Sequence, residues 1–208
     1  MTTIHLVRHG ETLWHAENRY AGSSDVALTP RGLEQARELA GWVERRVAAG
    51  VRFDAVVTST LTRAILTARP AAEVLGLVPR ADARLCEVHF GRGEGMTRAE
   101  MEEIFPDAVA AFLANPATSP LPDAERGVDA VARARAALTE IAAERPVGTV
   151  LVVAHSTLTR IVLASLLGMD VERYRDLLPA VGNCHVTSLE LDAQGEVALL
   201  AYNVPPSA

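Results

Sequence analysis

Arg8-His9-Gly10 follows the apolar stretch Thr3-Ile4-His5-Leu6-Val7 and puts a guanidinium and an imidazole where a short strand runs out. The arrangement occurs twice more: Ala55-Val56-Val57-Thr58 leads into Ser59 and Arg63, and Thr149-Val150-Leu151-Val152-Val153-Ala154 leads into His155 and Ser156. In an open parallel sheet, ligands sit in the crevice beyond the carboxyl ends of the strands. Three strand ends would therefore carry two imidazoles and two guanidiniums into one crevice, a set suited to a tetrahedral dianion. A guanidinium fork matches phosphoryl oxygens and stays charged at every relevant pH. A neutral imidazole offers phosphorus a lone pair without needing a separate base.

The elements that must position these groups alternate. After the first strand and a turn through Gly22-Ser23-Ser24-Asp25, Thr29 reads as an N-cap with Pro30 at the first helical position. Leu33, Ala36, Leu39, Val43 and Val47 keep helical spacing to Gly50. Phe53 to Thr58 reads as a second strand and Leu61 to Leu75 as a helix ending at Gly76, with a kink or early stop expected at Pro70. Thr97-Arg98-Ala99-Glu100 is a capping box whose helix must end by Pro106, and Asn115 to Pro122 reads as loop. Val128, Val131, Leu138 and Ile141 form a helical stripe, Thr149 to Ala154 a strand buried on both faces, and Ser156 to Leu167 a helix stopped by Gly168. His185 to Leu191 and Val197 to Tyr202 read as a closing hairpin. The alternation predicts an α/β fold, a three-layer sandwich with a mostly parallel central sheet flanked by helices. Residues 1–208 are expected to form one domain, with 97–127 an insertion over the active site.

Composition removes several classes of function. All 20 basic residues are arginine, so a P-loop, a Schiff-base lysine and a kinase-type phosphate lysine are excluded. The net charge of -6 argues against a nucleic-acid surface. No basic segment followed by an apolar one precedes the first strand, and no apolar run approaches about 18 residues, so no membrane association is expected and the cytoplasm is the expected compartment. Cys86 and Cys184 are expected to be free thiols. His5 and His9 share a strand face, but no third ligand type stands near them and no metal is expected. The glycine-rich Gly91-Arg92-Gly93-Glu94-Gly95 follows too weak a strand for a dinucleotide fingerprint; a tight turn that brings Glu94 toward the site is expected instead. No Gly-x-Ser-x-Gly elbow exists.

The ordered set Arg8-His9-Gly10-Glu11-Thr12, Leu28-Thr29-Pro30-Arg31-Gly32 with Gln35-Ala36, Ser59 with Arg63-Ala64 and Thr67-Ala68, Leu85-Cys86-Glu87, Gly91 with Glu94-Gly95, and Val153-Ala154-His155 resembles the histidine phosphatase superfamily, in its phosphoglycerate-mutase-like branch. The resemblance runs from the first strand to Asn183. It implies His9 as nucleophile, Arg8 and Arg63 as the phosphoryl clamp, His155 on the same oxygens, and Glu87 as acid and base. A leaving alkoxide needs a proton and the water that follows must lose one, both tasks for a carboxyl beside the phosphate. The remaining 18 arginines are expected to be solvated surface residues.

The chain departs from the family pattern at His15, where an asparagine is usual, at Ala21, and at Ser156, where glycine is frequent. His15 and Ser156 are expected to bind phosphate, His15 with a pH dependence that asparagine lacks. Pro122-Asp123-Ala124-Glu125-Arg126 replaces the family's Pro-Gly-Gly-Glu-Ser element, and no role is carried over from it. Bisphosphate-dependent mutases of the family have a longer, basic, proline-rich insertion; residues 97–127 hold six acids and two arginines, a net of four negative charges expected to repel a highly anionic substrate. The expected function is a cofactor-independent phosphomonoesterase acting through a phosphohistidine on a small phosphorylated metabolite. A bisphosphate-dependent phosphoglycerate mutase and a poorly active phosphoester-binding protein are the alternatives. Phe90, Met96 and Phe105 are candidates for an apolar pocket wall, with core packing the plainer role. A homodimer is left open.

Overall fold

A computed structural model describes residues 1–207 of the chain. Strands β1 (Thr2–Arg8), β2 (Ala55–Thr58), β3 (Arg80–Ala81), β4 (Thr149–Ala154), β5 (Val186–Leu191) and β6 (Val197–Val204) form one sheet in the order β3-β2-β4-β1-β5-β6. The first four are mutually parallel, and the closing hairpin β5-β6 adds two antiparallel strands. β1, β2 and β4 are therefore neighbours, and their carboxyl ends lie side by side.

Side chains of β1 and β4 alternate between two apolar layers, as strands covered on both faces must. Ile4, Leu6, Val150 and Val152 pack with the inner faces of α5 (Gly127–Glu144) and α6 (Ser156–Leu166). Val7, Leu151 and Val153 pack with α1 (Pro30–Ala48) and α2 (Thr62–Leu75). The three-layer α/β sandwich follows. α3 (Arg98–Ile104) and α4 (Pro106–Ala114) add to the α5-α6 side, as does the single turn α7 (Tyr174–Leu177). No helix among the described residues is long and apolar enough to cross a membrane.

The caps fall where the sequence puts them. Thr29 accepts from the Gly32 amide at the start of α1, and Thr97 and Glu100 close a reciprocal capping box on α3. Pro70 is the exception, since α2 runs through it to Leu75. Ala64, Ala68, Ala71 and Ala72 are buried against α1, and that packing outweighs the one hydrogen bond a proline removes. Pro106 stops α3, as the sequence reading expects, and starts α4, a helix that reading does not assign. Cys86 is half-buried and Cys184 buried, and both are free.

His5 belongs to the core. Its ring stands edge-on to Trp42 at 5.1 Å between centroids, and its Nδ1 lies 2.8 Å from Ser188 Oγ. Burial, and secondarily the charge of Arg46, lower its pKa from 6.5 to about 4. The unfolded chain takes up this proton near pH 6.5 while the folded chain does not. Stability held by His5 is therefore complete above pH 6.5 and drains away as pH falls toward 4, by about 3 kcal/mol. Urea unfolding at pH 7.5 and 4.5 should show His5→Phe losing less stability over that interval than the parent; equal losses would put the imidazole in water.

Candidate active site

β1 ends at Arg8, and the His9 amide continues the pairing by donating to Ala154 O at 3.0 Å. The triple closes with glycine because α1 begins directly beneath it: a Cβ on Gly10 would lie 2.6 Å from the Gly32 carbonyl oxygen. The His9 side chain is buried, and its Nδ1 sits 2.7 Å from the carbonyl oxygen of Gly10. A carbonyl can only accept, so Nδ1 carries the proton and Nε2 holds the lone pair. Burial, followed by the positive surroundings of His155, Arg63 and Arg8, holds the His9 pKa well below 6.5, and the ring is neutral at pH 7.

His155 follows the end of β4 as the N-cap position of α6, fully buried, its ring centroid 5.1 Å from that of His9. Ser59, just past the end of β2, lies 2.7 Å from His155 Nε2 and accepts from the Leu61 amide at 3.3 Å. The Ser59 hydroxyl has no other acceptor among the described residues, so it donates to Nε2, which leaves the His155 proton on Nδ1. That Nδ1 is buried without a partner. Ser59→Ala is expected to free the other tautomer and lower kcat roughly tenfold, less than the 10²–10³ for outright loss of an oxyanion donor. Ser59→Thr should restore it; equal rates in the parent and Ser59→Ala would show that the hydroxyl selects nothing.

The two guanidiniums are held differently. Arg8 donates through Nη1 to Val181 O at 2.7 Å and through Nη2 to His15 Nε2 at 2.6 Å. Burial brings its pKa down to about 10, still cationic at neutral pH. Arg63, on the first turn of α2, is fully buried and donates to the carbonyls of Ser24, Ala21 and Gly22 at 2.6, 2.9 and 2.7 Å. Glu94 fixes that loop from the other side, accepting from the Ser23 and Ser24 amides at 2.8 Å each. The tight turn carrying Glu94 needs glycine at 91, where φ is +56° and a Cβ would lie 2.2 Å from Pro122 O. Glu94 thus reaches the site by bracing the loop that holds Arg63. The Nε atoms of Arg8 and Arg63 are, like His155 Nδ1, buried without a partner.

Glu87 is buried, and its carboxylate accepts from the Thr157 and Leu158 amides at 2.9 and 2.8 Å and from the Val88 amide at 3.0 Å. It occupies the positive end of α6, where free amides favour an anion. Arg133 steadies the segment by donating to the carbonyls of Arg84, Cys86 and Glu87. His15 has its Nε2 on Arg8, and Asn183, whose amide also donates to His9 O at 2.9 Å, stands 3.3 Å from the same nitrogen.

A cavity of about 300 Å³ opens on this cluster. Arg8, His9, His15, Glu87 and Ser156 line it; His155 and Arg63 lie in the buried layer beside it. Two expectations need correction. Arg19, Arg160 and Arg175 line the cavity and are not plain surface residues. Arg160 was findable, because it stands one helical turn after Ser156 on α6; Arg175 gave no such signal, since α7 is a single turn. Residues 97–127 contribute nothing to the lining: Phe112 packs behind Tyr20 and Phe90, at 6.3 Å from each ring. Three of the six acids of that segment are ion-paired, Glu100 to Arg19, Glu102 to Arg98 and Glu125 to Arg133, and none of the six lines the cavity. Of the three apolar candidates Phe90 lines the cavity, while Met96 and Phe105 pack against the core, the plainer role expected of them. Among the described residues, no three His, Cys, Asp or Glu side chains gather as a metal set would.

Comparison with known proteins shows the family. The family model for the histidine phosphatase superfamily (branch 1) matches residues 4–204. Phosphoserine phosphatase 1 of Hydrogenobacter thermophilus is 30% identical over 174 residues, 84% of this chain and 80% of its own. A 2,3-bisphosphoglycerate-dependent phosphoglycerate mutase of Thermobifida fusca is 42% identical over 110 residues, which span 51% of this chain and 43% of the mutase. Among solved structures, a mycobacterial glucosyl-3-phosphoglycerate phosphatase complexed with VO3 superposes with a TM-score of 0.84 at 32% identity, covering 97% of this chain and 98% of that one.

Proposed function

The chain belongs to the histidine phosphatase superfamily, and on that premise we propose that it is a phosphatase that hydrolyses a small metabolite monophosphate through a phosphohistidine on His9, without a cofactor and in the cytoplasm. One observation carries the reading. A neutral His9 with its lone pair on Nε2 stands among three buried N–H groups, on Arg8, Arg63 and His155, that have no partner among the described residues. Buried donors are nearly always paired, and a phosphoryl group brings the oxygens these three lack.

In the proposed cycle His9 Nε2 attacks phosphorus, and the P–O bond to the leaving group breaks. Glu87, the acid and base that the resemblance implies, passes a proton to the departing alkoxide, and the amides of Val88, Thr157 and Leu158 steady the carboxylate this leaves. The Nδ1–H of His9 remains on the Gly10 carbonyl and eases the positive charge that forms on the ring. Glu87, now ionised, takes a proton from water as the water oxygen bonds to phosphorus; the N–P bond breaks and its electron pair returns to Nε2. Arg8, Arg63 and His155 hold the equatorial oxygens through both steps, where positioning and charge supply most of the catalysis. His15 and Ser156 complete the phosphate wall.

Two further points favour hydrolysis over phosphoryl transfer between hydroxyls. The phosphatase relative matches over most of both chains, whereas the mutase matches over about half of each. A cavity of about 300 Å³ also suits a small ester. The reading is tested by phosphate release from a panel of sugar, acid and aryl monophosphates without added metal, beside a phosphoglycerate mutase assay with a bisphosphate primer. Release from one or a few esters is expected. A primer-dependent mutase rate exceeding hydrolysis would make it a mutase, and silence in both assays with tight phosphoester binding would make it a binding protein.

A further inference from the structure

Among the described residues, Arg160 and Arg175 are cations without counterions. Every hydrogen bond either guanidinium makes among the described residues goes to a neutral oxygen. Arg160 reaches Ser156 O at 3.4 Å, Pro179 O at 3.1 Å and Leu178 O at 3.5 Å; Arg175 reaches the Tyr174 hydroxyl at 3.1 Å and Phe112 O at 3.5 Å. Both are half-buried and both line the cavity that holds His9. The neighbouring Arg19 and Arg133 differ, for each is matched by a carboxylate, at 2.8 and 2.7 Å.

Their positions are built. Tyr174 is buried, and the Arg160 and Arg175 guanidiniums rest 5.0 and 5.4 Å from its ring centroid; Arg175 also lies 4.4 Å from the Phe112 ring. Aromatic faces hold a guanidinium in place without neutralising it. A cation taken partly out of water and left unpaired is unfavourable unless something else brings the opposite charge. The phosphoryl group does not explain them, because Arg8, Arg63 and His155 already supply its donors.

Resting on the phosphomonoesterase reading, we propose that Arg160 and Arg175 form a second anion subsite and that the substrate is a phosphomonoester bearing a carboxylate. The donor count favours a carboxylate over a second phosphate. Each guanidinium keeps its Nη2 without a partner among the described residues, and two free donor groups match the two oxygens of a carboxylate. A second phosphate would bring three oxygens and up to two charges. Tyr20 and Phe90, in edge-to-face contact at 4.9 Å, give the short carbon chain between the two anions an apolar wall.

The test is a ratio of kcat/KM values for matched esters, which cancels general damage to the enzyme: 3-phosphoglycerate against glycerol 3-phosphate, and phosphoserine against phosphoethanolamine. The parent should prefer the carboxylate-bearing member of at least one pair by roughly tenfold to a hundredfold, the worth of a charge-assisted hydrogen bond or two. In Arg160→Met, Arg175→Met and the double variant the ratio should fall toward one. A ratio near one in the parent, or one that survives the double variant, overturns the proposal. So does preference for fructose 1,6-bisphosphate over fructose 6-phosphate exceeding that for carboxylate. If the parent hydrolyses no ester, the phosphatase reading falls alone; calorimetric affinities for the same pairs then decide the subsite, with equal affinities sinking it.

Discussion

His9→Ala should lower kcat by a factor on the order of 10⁶ and leave no acid-labile phosphate on the chain, the scale of loss when a covalent-catalysis nucleophile is removed. No other group in the cluster can take its place. His155 has Nε2 committed to Ser59 and its proton on Nδ1, so it offers phosphorus no lone pair. His15 has Nε2 committed to Arg8 and Asn183. The variant should still bind phosphate or vanadate, because the donors on Arg8, Arg63 and His155 do not depend on the His9 ring. Rapid-quench trapping with a labelled ester reads phosphoenzyme directly, and titration calorimetry reads binding. A His9→Ala enzyme with a substantial fraction of parental kcat would remove His9 from the chemistry.

Arg63→Ala should be the most damaging change among the phosphate donors, because one side chain serves the site and the fold. Its loss removes an oxyanion donor, for which about 10²–10³ in kcat is the usual scale. It also strands the carbonyls of Ala21, Gly22 and Ser24, at about 1 kcal/mol or more for each left dry, so a stability loss of about 3 kcal/mol is expected. The released loop lies beside Glu94, whose grip on Ser23 and Ser24 then holds a segment with nothing behind it. Steady-state kinetics at a temperature where the variant is folded, set beside urea unfolding, separates the effects. Arg63→Lys should recover charge but only part of the stability, since an ammonium cannot span three carbonyls as a fork does. Parental kcat/KM in folded Arg63→Ala would remove the residue from the phosphate clamp.

Legibility in the sequence divides along a physical line. What local chemistry decides could be read: Thr29 with Pro30, the Thr97 to Glu100 box, the stop at Gly76 with its φ of +64°, and the doubly buried β4. The grouping of His9, Arg63 and His155 was readable as well, because parallel strand order alone brings their strand ends together. What depended on tertiary partners could not be read. Pro70 is tolerated because alanines on either side of it are packed. The two-residue β3 and single-turn α7 are too short to carry a period. Arg133, Arg160 and Arg175 differ in sequence from no surface arginine; only the carbonyls, carboxylate or ring each one meets tells them apart. Glu87 was assigned through resemblance alone, and its seat on the amides of α6 emerges only when a segment 70 residues away folds against it.

The three unpartnered N–H groups around His9 also bear on the enzyme's timing. Donors that no protein group among the described residues occupies are open to any tetrahedral oxyanion, not to the transferring phosphoryl group alone. Inorganic phosphate, the last product, has that shape and charge. The donors that lower the barrier to transfer therefore also hold the product, and the surrounding phosphate concentration becomes a brake on turnover.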